Sequence, residues 1–239
     1  MFTDIIKQFE HIIEAVKQTD VKEKPFKHLY VSEVLDVHDY RTITEFEQHD
    51  DLTCIEEYGR KEYDLNITDW NLWEEQSHKL LEEICKKLKL GRPYADKRGT
   101  ETKVPATIKF WSDTKDLEIT DIHTDAFYDT DLTVSCQIYL PKDESQFKLG
   151  TKLYRYIGDN INDDANQDDG TQYPHQAKHD KLDKWEHRLT VPYRPNCMLV
   201  TVSTKDSWHQ APTIEDGVRN SLMLRFKVYL ATALSAILR

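Results

Sequence analysis

Five residues in two distant stretches have the types and spacing to do chemistry. His123-Thr124-Asp125 sets an imidazole and a carboxylate two positions apart, and Trp208-His209 supplies a second imidazole far downstream. Arg219-Asn220-Ser221 then follows, with Arg219 ten positions beyond His209. Two imidazoles and one carboxylate make a three-ligand set for a divalent metal, the kind that leaves one side of an iron(II) ion open. Arginine adds a planar, permanently charged fork that pairs with a carboxylate through two hydrogen bonds. H-x-D alone, or a single histidine alone, is a weak signal. The combination is stronger because each part has its own physical job.

Such a site needs strands to assemble it. On an extended strand His123 and Asp125 share a side, and Leu117 to Ile122 reads as the strand that leads into them. His209 follows the strand-like run Met198 to Ser203 and a turn at Thr204-Lys205-Asp206-Ser207, so it can reach across the mouth of a barrel. Arg219, Ser221 and Met223 share one parity of a strand whose other parity is Leu222, Leu224 and Phe226. Further strand signals lie at Thr107 to Trp111, Leu132 to Leu140, Lys152 to Tyr156 and Trp185 to Val191, and the last runs from Ser221 to Leu230. Short strands with turns and no long helix between them point to a double-sheet jelly roll.

Supporting helices are expected earlier in the chain. Residues 3–18 carry Ile5, Ile6, Phe9, Ile12, Ile13 and Val16 at helical spacing, with Thr3 as N-cap. A strand follows from Pro25 to Val31, then a short helix through about Phe46, and a possible strand from Cys54 to Tyr58. Asp69 caps a helix over about 70–90 that Gly91 would stop. The organisation is one domain over 1–239, with 1–104 as support and 105–230 as the jelly-roll core. Gly158 to Lys184 is a long polar insertion in that core. It reads either as a solvated loop or as a lid over the site.

Composition sets the outer limits. The chain has 239 residues, 38% hydrophobic and 31% charged, enough apolar content to bury a core. Its net charge of −11 weighs against nucleic acid as the main partner. No apolar run reaches the ~18 residues of a membrane span. Met1-Phe2-Thr3-Asp4 carries neither a basic nor a continuous apolar segment, which argues against a signal peptide. Cys54, Cys85, Cys136 and Cys197 are widely spaced without a CxxC, as expected of reduced thiols in a cytoplasmic protein. His28, His38 and His49 read as surface or packing residues. His175 and His179, with His187 nearby, are a weaker candidate for a second metal site.

The H-x-D, His and R-x-S set resembles the prolyl-hydroxylase-like Fe(II)/2-oxoglutarate-dependent oxygenases, whose fold is the double-stranded β-helix. Gly150-Thr151-Lys152-Leu153-Tyr154 and Trp208-His209-Gln210-Ala211-Pro212 add to the likeness, as does Tyr139, 16 positions beyond His123. The resemblance covers about residues 105–230 well and the first hundred loosely. It implies Fe(II) on His123, Asp125 and His209, which are also the catalytic residues. It implies 2-oxoglutarate as co-substrate, with its far carboxylate on Arg219, Ser221 and Tyr139, and O2 as oxidant. The implied reaction is hydroxylation of an unactivated C–H bond with release of succinate and CO2. A carboxylate at position 125 favours hydroxylation, since related halogenases have Gly or Ala there. The implied substrate is a small molecule or peptide. Alternatives are oxidation of a nucleobase or nucleotide, which the charge opposes, and a non-catalytic jelly-roll binding module, which the intact four-residue set opposes.

Overall fold

A computed structural model describes residues 6–44, 54–57, 59–65, 67, 69–94, 103–117, 121–126, 131–141 and 144–230. Its helices are α1 (Phe9–Gln18), α2 (Val37–Thr44), α3 (Trp70–Leu88) and the single turn α4 (Ile161–Asp164). The strands of the N-terminal part are β1 (His28–Ser32), β2 (Cys54–Glu57), β3 (Arg60–Asp64) and β4 (Pro93–Tyr94). The remainder supplies β5 (Thr107–Asp113), β6 (Asp131–Tyr139), β7 (Lys152–Tyr156), β8 (Ala165–Asn166), β9 (Gln176–Ala177), β10 (Trp185–Thr190), β11 (Cys197–Val202), β12 (His209–Gln210) and β13 (Arg219–Leu230).

A large antiparallel sheet runs in the order β1-β11-β6-β13-β5-β3-β2, with β4 also paired to β13. A smaller sheet, β10-β7-β12, packs on it. Single backbone bridges join His209 to His123 and His123 to Gln176, so the β8–β9 hairpin continues the smaller sheet past His123. From β5 onward the chain passes repeatedly between the two sheets. It goes from β5 in the large sheet to His123 in the small one, back to β6, across to β7 and β10, then to β11, β12 and β13 in turn. This is the double-stranded β-helix, or jelly roll, that the strand pattern predicts.

Alternation along each strand sorts the large sheet into two faces. Leu222, Leu224, Phe226 and Val228 of β13 turn outward with Val134, Cys136 and Ile138 of β6 and with Met198 and Val200 of β11. They form one core with α1 and α3, where Phe9 meets Trp73 edge-on at 5.1 Å between centroids. Trp73 is fully buried, and its indole N–H donates to the Ala106 carbonyl at 2.9 Å, satisfying a polar group that burial would otherwise penalise. The other face turns to the small sheet. There Tyr139 and Leu199 pack with Leu153, Val191 and Tyr193.

The helices follow their sequence signals closely. Asp69 accepts a hydrogen bond from the Leu72 backbone N–H at 3.0 Å and opens α3 as an N-cap. Lys89 in the left-handed conformation, φ 58°, ends it, two residues before the expected Gly91 stop. The Thr3 cap and the end of the second helix at Phe46 lie outside the described residues. The strand expected over Leu117 to Ile122 lies partly outside them too, and Leu117, Asp121 and Ile122 are not strand residues. His123 therefore enters the small sheet as one bridged residue rather than as the end of a strand.

Gly158 to Lys184 also departs from expectation. Its polar composition suggested a structureless loop or lid, but it folds into α4, the β8–β9 hairpin and a 3-10 helix over His179–Lys184. Its backbone is spent on the jelly roll: Ala177 donates to the Ile122 carbonyl and Thr124 to the His175 carbonyl, at 2.9 and 2.8 Å. Such ladder bonds do not need apolar side chains, which is why the hydrophobic pattern gave no sign of them.

Candidate metal centre

His123 and His209, 86 positions apart in sequence, are a directly paired couple in the small sheet. Each backbone N–H donates to the other's carbonyl at 2.8 Å, and the ring centroids stand 4.4 Å apart. Asp125 completes the group, and one donor atom from each of the three lies within 4.8 Å of the others. The Nε2 of His209 is 3.8 Å from Asp125 Oδ2.

The local chain fixes both imidazoles in the same tautomer. His123 Nδ1 sits 2.9 Å from the Asp121 carbonyl, and His209 Nδ1 sits 2.9 Å from the Ser207 carbonyl. A carbonyl can only accept, so each Nδ1 carries a proton and each Nε2 is the nitrogen turned to the ligand side. Burial, and then the neighbouring His209, lowers the His123 pKa to about 4, so its ring is neutral at neutral pH. Asp125 is held below the usual carboxylate range. Burial opposes its ionisation, but His209, His123, Arg225 and Arg60 together outweigh burial. A neutral imidazole at His123 and an ionised carboxylate at Asp125 are protonation states that binding a divalent metal requires.

Thr124, between the two ligands, locks their loop. Its hydroxyl donates to the Thr204 carbonyl at 2.8 Å and lies 3.1 Å from the Ser207 hydroxyl, which ties H-x-D to the turn that delivers His209. On the other side of His209, the Trp208 ring packs on Trp185 at 5.1 Å. The middle residue of H-x-D is thus a positioning group, a role that no sequence signal pointed to.

The three ligands line a cavity between the sheets. Arg219 closes its deep end, 1% exposed. Its Nη1 donates to Asp113 at 2.8 Å, its Nε to the Leu149 carbonyl at 2.8 Å, and its Nη2 to Gln137 Oε1 and Thr151 Oγ1, each at 3.2 Å. Asp113 is fully buried and also takes the Nε of Arg60 at 2.6 Å. Among the described residues two guanidinium groups share this one carboxylate, so the cluster carries a net positive charge largely shielded from water. A buried net charge is costly unless an anion joins it. The donor set therefore fits a dicarboxylic co-substrate whose far end reaches Arg219, Thr151 and Gln137.

Gly150 makes that arrangement possible. A Cβ there would stand 1.4 Å from the Val191 carbonyl oxygen, so only glycine lets the Leu149 carbonyl and the Thr151 hydroxyl both face the guanidinium. Ser221 is fully buried and accepts from Gln137 Nε2 at 3.1 Å. Tyr139 is fully buried as well, and its hydroxyl donates to Thr151 Oγ1 at 3.1 Å. Both residues reach the Arg219 end, yet the side chains that line the cavity there are Gln137 and Thr151. Parity could have flagged Gln137, which is in step with Thr133, Ser135 and Tyr139 on one face of β6 while Val134, Cys136 and Ile138 form the apolar face. Asp113, in step with Trp111, carried the same signal.

The second candidate metal set does not assemble. His175 Nε2 meets Asp168 at 3.0 Å, His179 lies 3.8 Å from Asp121, and His187 meets the Thr190 hydroxyl at 3.0 Å. His28 is buried with Nδ1 on the Phe26 carbonyl at 2.9 Å, a packing histidine. Cys85, Cys136 and Cys197 are buried free thiols, and burial raises the pKa values of Cys85 and Cys136. No helix of the described residues is long and apolar enough to cross a membrane.

The fold and site together define a jelly-roll protein with a 2-His-1-carboxylate group and a buried arginine in one cavity. No protein-family model matches the sequence, and no curated protein matches it. Among solved structures, the chain is similar to a Pseudomonas putida prolyl-4-hydroxylase at 14% identity and TM-score 0.46, over 93% of this chain and 100% of that one. It is also similar to HygX from Streptomyces hygroscopicus, solved with nickel, 2-oxoglutarate and hygromycin B, at 8% identity and TM-score 0.47, over 84% and 82% of the two chains. A third similarity is to the epimerase SnoN, solved with Fe3+ and alpha-ketoglutarate, at 12% identity and TM-score 0.46, over 97% and 89%. Likenesses this distant give no ground for carrying a substrate or a reaction across.

Proposed function

We propose that this protein is an Fe(II)- and 2-oxoglutarate-dependent dioxygenase that hydroxylates an unactivated C–H bond. The observation that carries the reading is one cavity with three metal donors at one end and the net-positive Arg60–Asp113–Arg219 cluster at the other. His123, Asp125 and His209 would hold the metal. Arg219, with Thr151 and Gln137, would hold the far carboxylate of 2-oxoglutarate, and Ser221 and Tyr139 would keep those two side chains in place. The bound iron and co-substrate supply the oxidising power: O2 and 2-oxoglutarate yield succinate and CO2 as R–H becomes R–OH.

The chain's own contribution is to bind, orient and exclude water. Backbone pairing of His123 with His209 presets two ligand positions. The Nδ1 hydrogen bonds preset their tautomers. Burial of Arg219 makes its charge act through a low-dielectric medium, so a carboxylate is held at a fixed depth relative to the metal.

Purified protein given Fe(II), 2-oxoglutarate and air should form succinate slowly even without a substrate. Under argon, 2-oxoglutarate added to the iron-loaded protein should raise a visible charge-transfer band. Absence of both the succinate and the band would sink the proposal.

A further inference from the structure

The cavity holds a third arginine that acts on the metal group only through its charge and stands apart from the Arg219 cluster. Arg225 lies two turns of the β-alternation beyond Ser221 on the same face of β13, exposed at the mouth. Among the described residues it has no carboxylate partner. Lys109, nearby on β5, is by contrast paired with Glu62 at 2.7 Å. The Arg225 guanidinium instead lies 4.8 Å from the centroid of the Trp111 ring, and that of Arg60 lies 3.9 Å from the same centroid. Register explains how both reach it. Arg60 is opposite Asp113, on one side of Trp111 along β5, and Arg225 is opposite Thr107, on the other side.

Two cations brought to one ring repel each other, and the ring's own attraction offsets only part of that. Among the described residues the buried indole N–H of Trp111 has no acceptor. The cavity wall thus carries, over the Trp111 ring, a guanidinium with no carboxylate partner among the described residues, within electrostatic reach of Asp125. Among the described residues, three arginines line the cavity against two carboxylates, Asp125 in its wall and Asp113 buried behind it. A divalent metal and a doubly charged co-substrate cancel one another and leave that excess of one positive charge in place.

We infer that Arg225 and Trp111, with the free edge of Arg60, form a subsite for a carboxylate or phosphate group of the primary substrate, a small anionic molecule. This rests on the proposed oxygenase reading, under which 2-oxoglutarate takes the Arg219 end. The anionic group anchors the substrate at the mouth, and its remaining atoms then lie over the His123–Asp125–His209 group.

The test uses protein loaded with Zn(II) and 2-oxoglutarate, observed by 1H–15N spectra of the tryptophan indoles, with the Trp111 resonance assigned by its loss in Trp111→Phe. Benzoate, phenyl phosphate and neutral benzamide are titrated in separate arms. At least one anion should shift the Trp111 resonance saturably while benzamide does not, and the tighter anion decides between carboxylate and phosphate. Arg225→Gln should weaken that anion by about tenfold, the worth of one charge-assisted hydrogen bond. Arg225→Lys should restore part of the loss, and calorimetric binding of 2-oxoglutarate should be unchanged in both variants. An equal response to benzamide, no response to either anion, or a loss of 2-oxoglutarate binding in Arg225→Gln would each overturn the subsite. The anion arms are repeated without 2-oxoglutarate. A wild-type protein that takes up the anion but not 2-oxoglutarate would fail the oxygenase reading while sparing the subsite.

Discussion

On β13, Leu222, Leu224, Phe226 and Val228 turn to the helices, whereas Arg219, Ser221, Met223 and Arg225 turn to the small sheet. The same backbone, paired to the same neighbours, carries two different free-energy roles. The outer residues need only be apolar and fit, because burial of apolar area is non-directional. The inner residues need named partners at bonding distance, because a buried polar group left alone costs more than a satisfied one gains. Arg219 alone uses Asp113, Leu149, Gln137 and Thr151. The outer face supplies stability, and the inner face draws on it to hold a charged cluster out of water.

That contrast can be broken by substitution. The largest effect is expected outside: Phe226→Ala should cost about 3–5 kcal/mol by cavity formation, read as a fall in melting temperature. Metal affinity of the molecules that stay folded should not change. A comparable metal defect would show that the faces are not separable.

Asp113→Ala should come next, at about 3 kcal/mol or more, because it strands two guanidinium groups in a buried site. Unlike Phe226→Ala it should also alter 2-oxoglutarate binding by calorimetry, since Arg219 loses its anchor. A variant as stable as wild type would mean that Asp113 is not the keystone of the cluster.

His209→Ala should reverse the pattern, lowering affinity for Fe(II) or Co(II) by about a hundredfold or more with a smaller change in melting temperature than Asp113→Ala. Equilibrium dialysis measures the first and a thermal melt the second.

The pH dependence follows from the same buried site. The His123 pKa is lowered to about 4, so the unfolded chain takes up a proton near pH 6.5 that the folded one refuses. Metal-free protein should therefore lose stability as pH falls from about 6.5 to 4, and Asp125, also lowered, adds a loss of the same sign at lower pH. Denaturant midpoints that stayed flat across that window in wild type, or that moved equally in His123→Gln, would contradict this. The smallest effect is expected for Met223→Leu, a volume-conserving change on the inner face, at under about 1.5 kcal/mol with metal affinity intact.

Much of this was legible before any coordinates. Strand alternation marked Leu222, Leu224 and Phe226 as one face and Arg219, Ser221 and Met223 as the other, and helical spacing placed the boundaries of α3 within two residues. His123, Asp125 and His209 were legible as a candidate ligand set from their residue types taken with the spacing to Arg219 and the family resemblance, and their donor atoms do meet. The Gly158 to Lys184 segment was not legible, because its contribution is backbone pairing beside His123 and its polar side chains conceal that. Thr124 was equally opaque, since a hydroxyl that reaches a carbonyl 80 residues away leaves no local trace.

The sequence by itself determined the periods of burial and the inventory of donors, because both depend on residue type and short spacing. Only the tertiary structure decided which partner each donor meets. Arg219 finds Asp113 across 106 positions, and Arg60 reaches the same carboxylate across 53. Those distances collapse to under 3 Å through strand register, which is set by the whole sheet rather than by any stretch of it. Trp111 and Arg225 are ordinary strand residues in the sequence. They become a candidate anion site only because β3, β5 and β13 lie side by side.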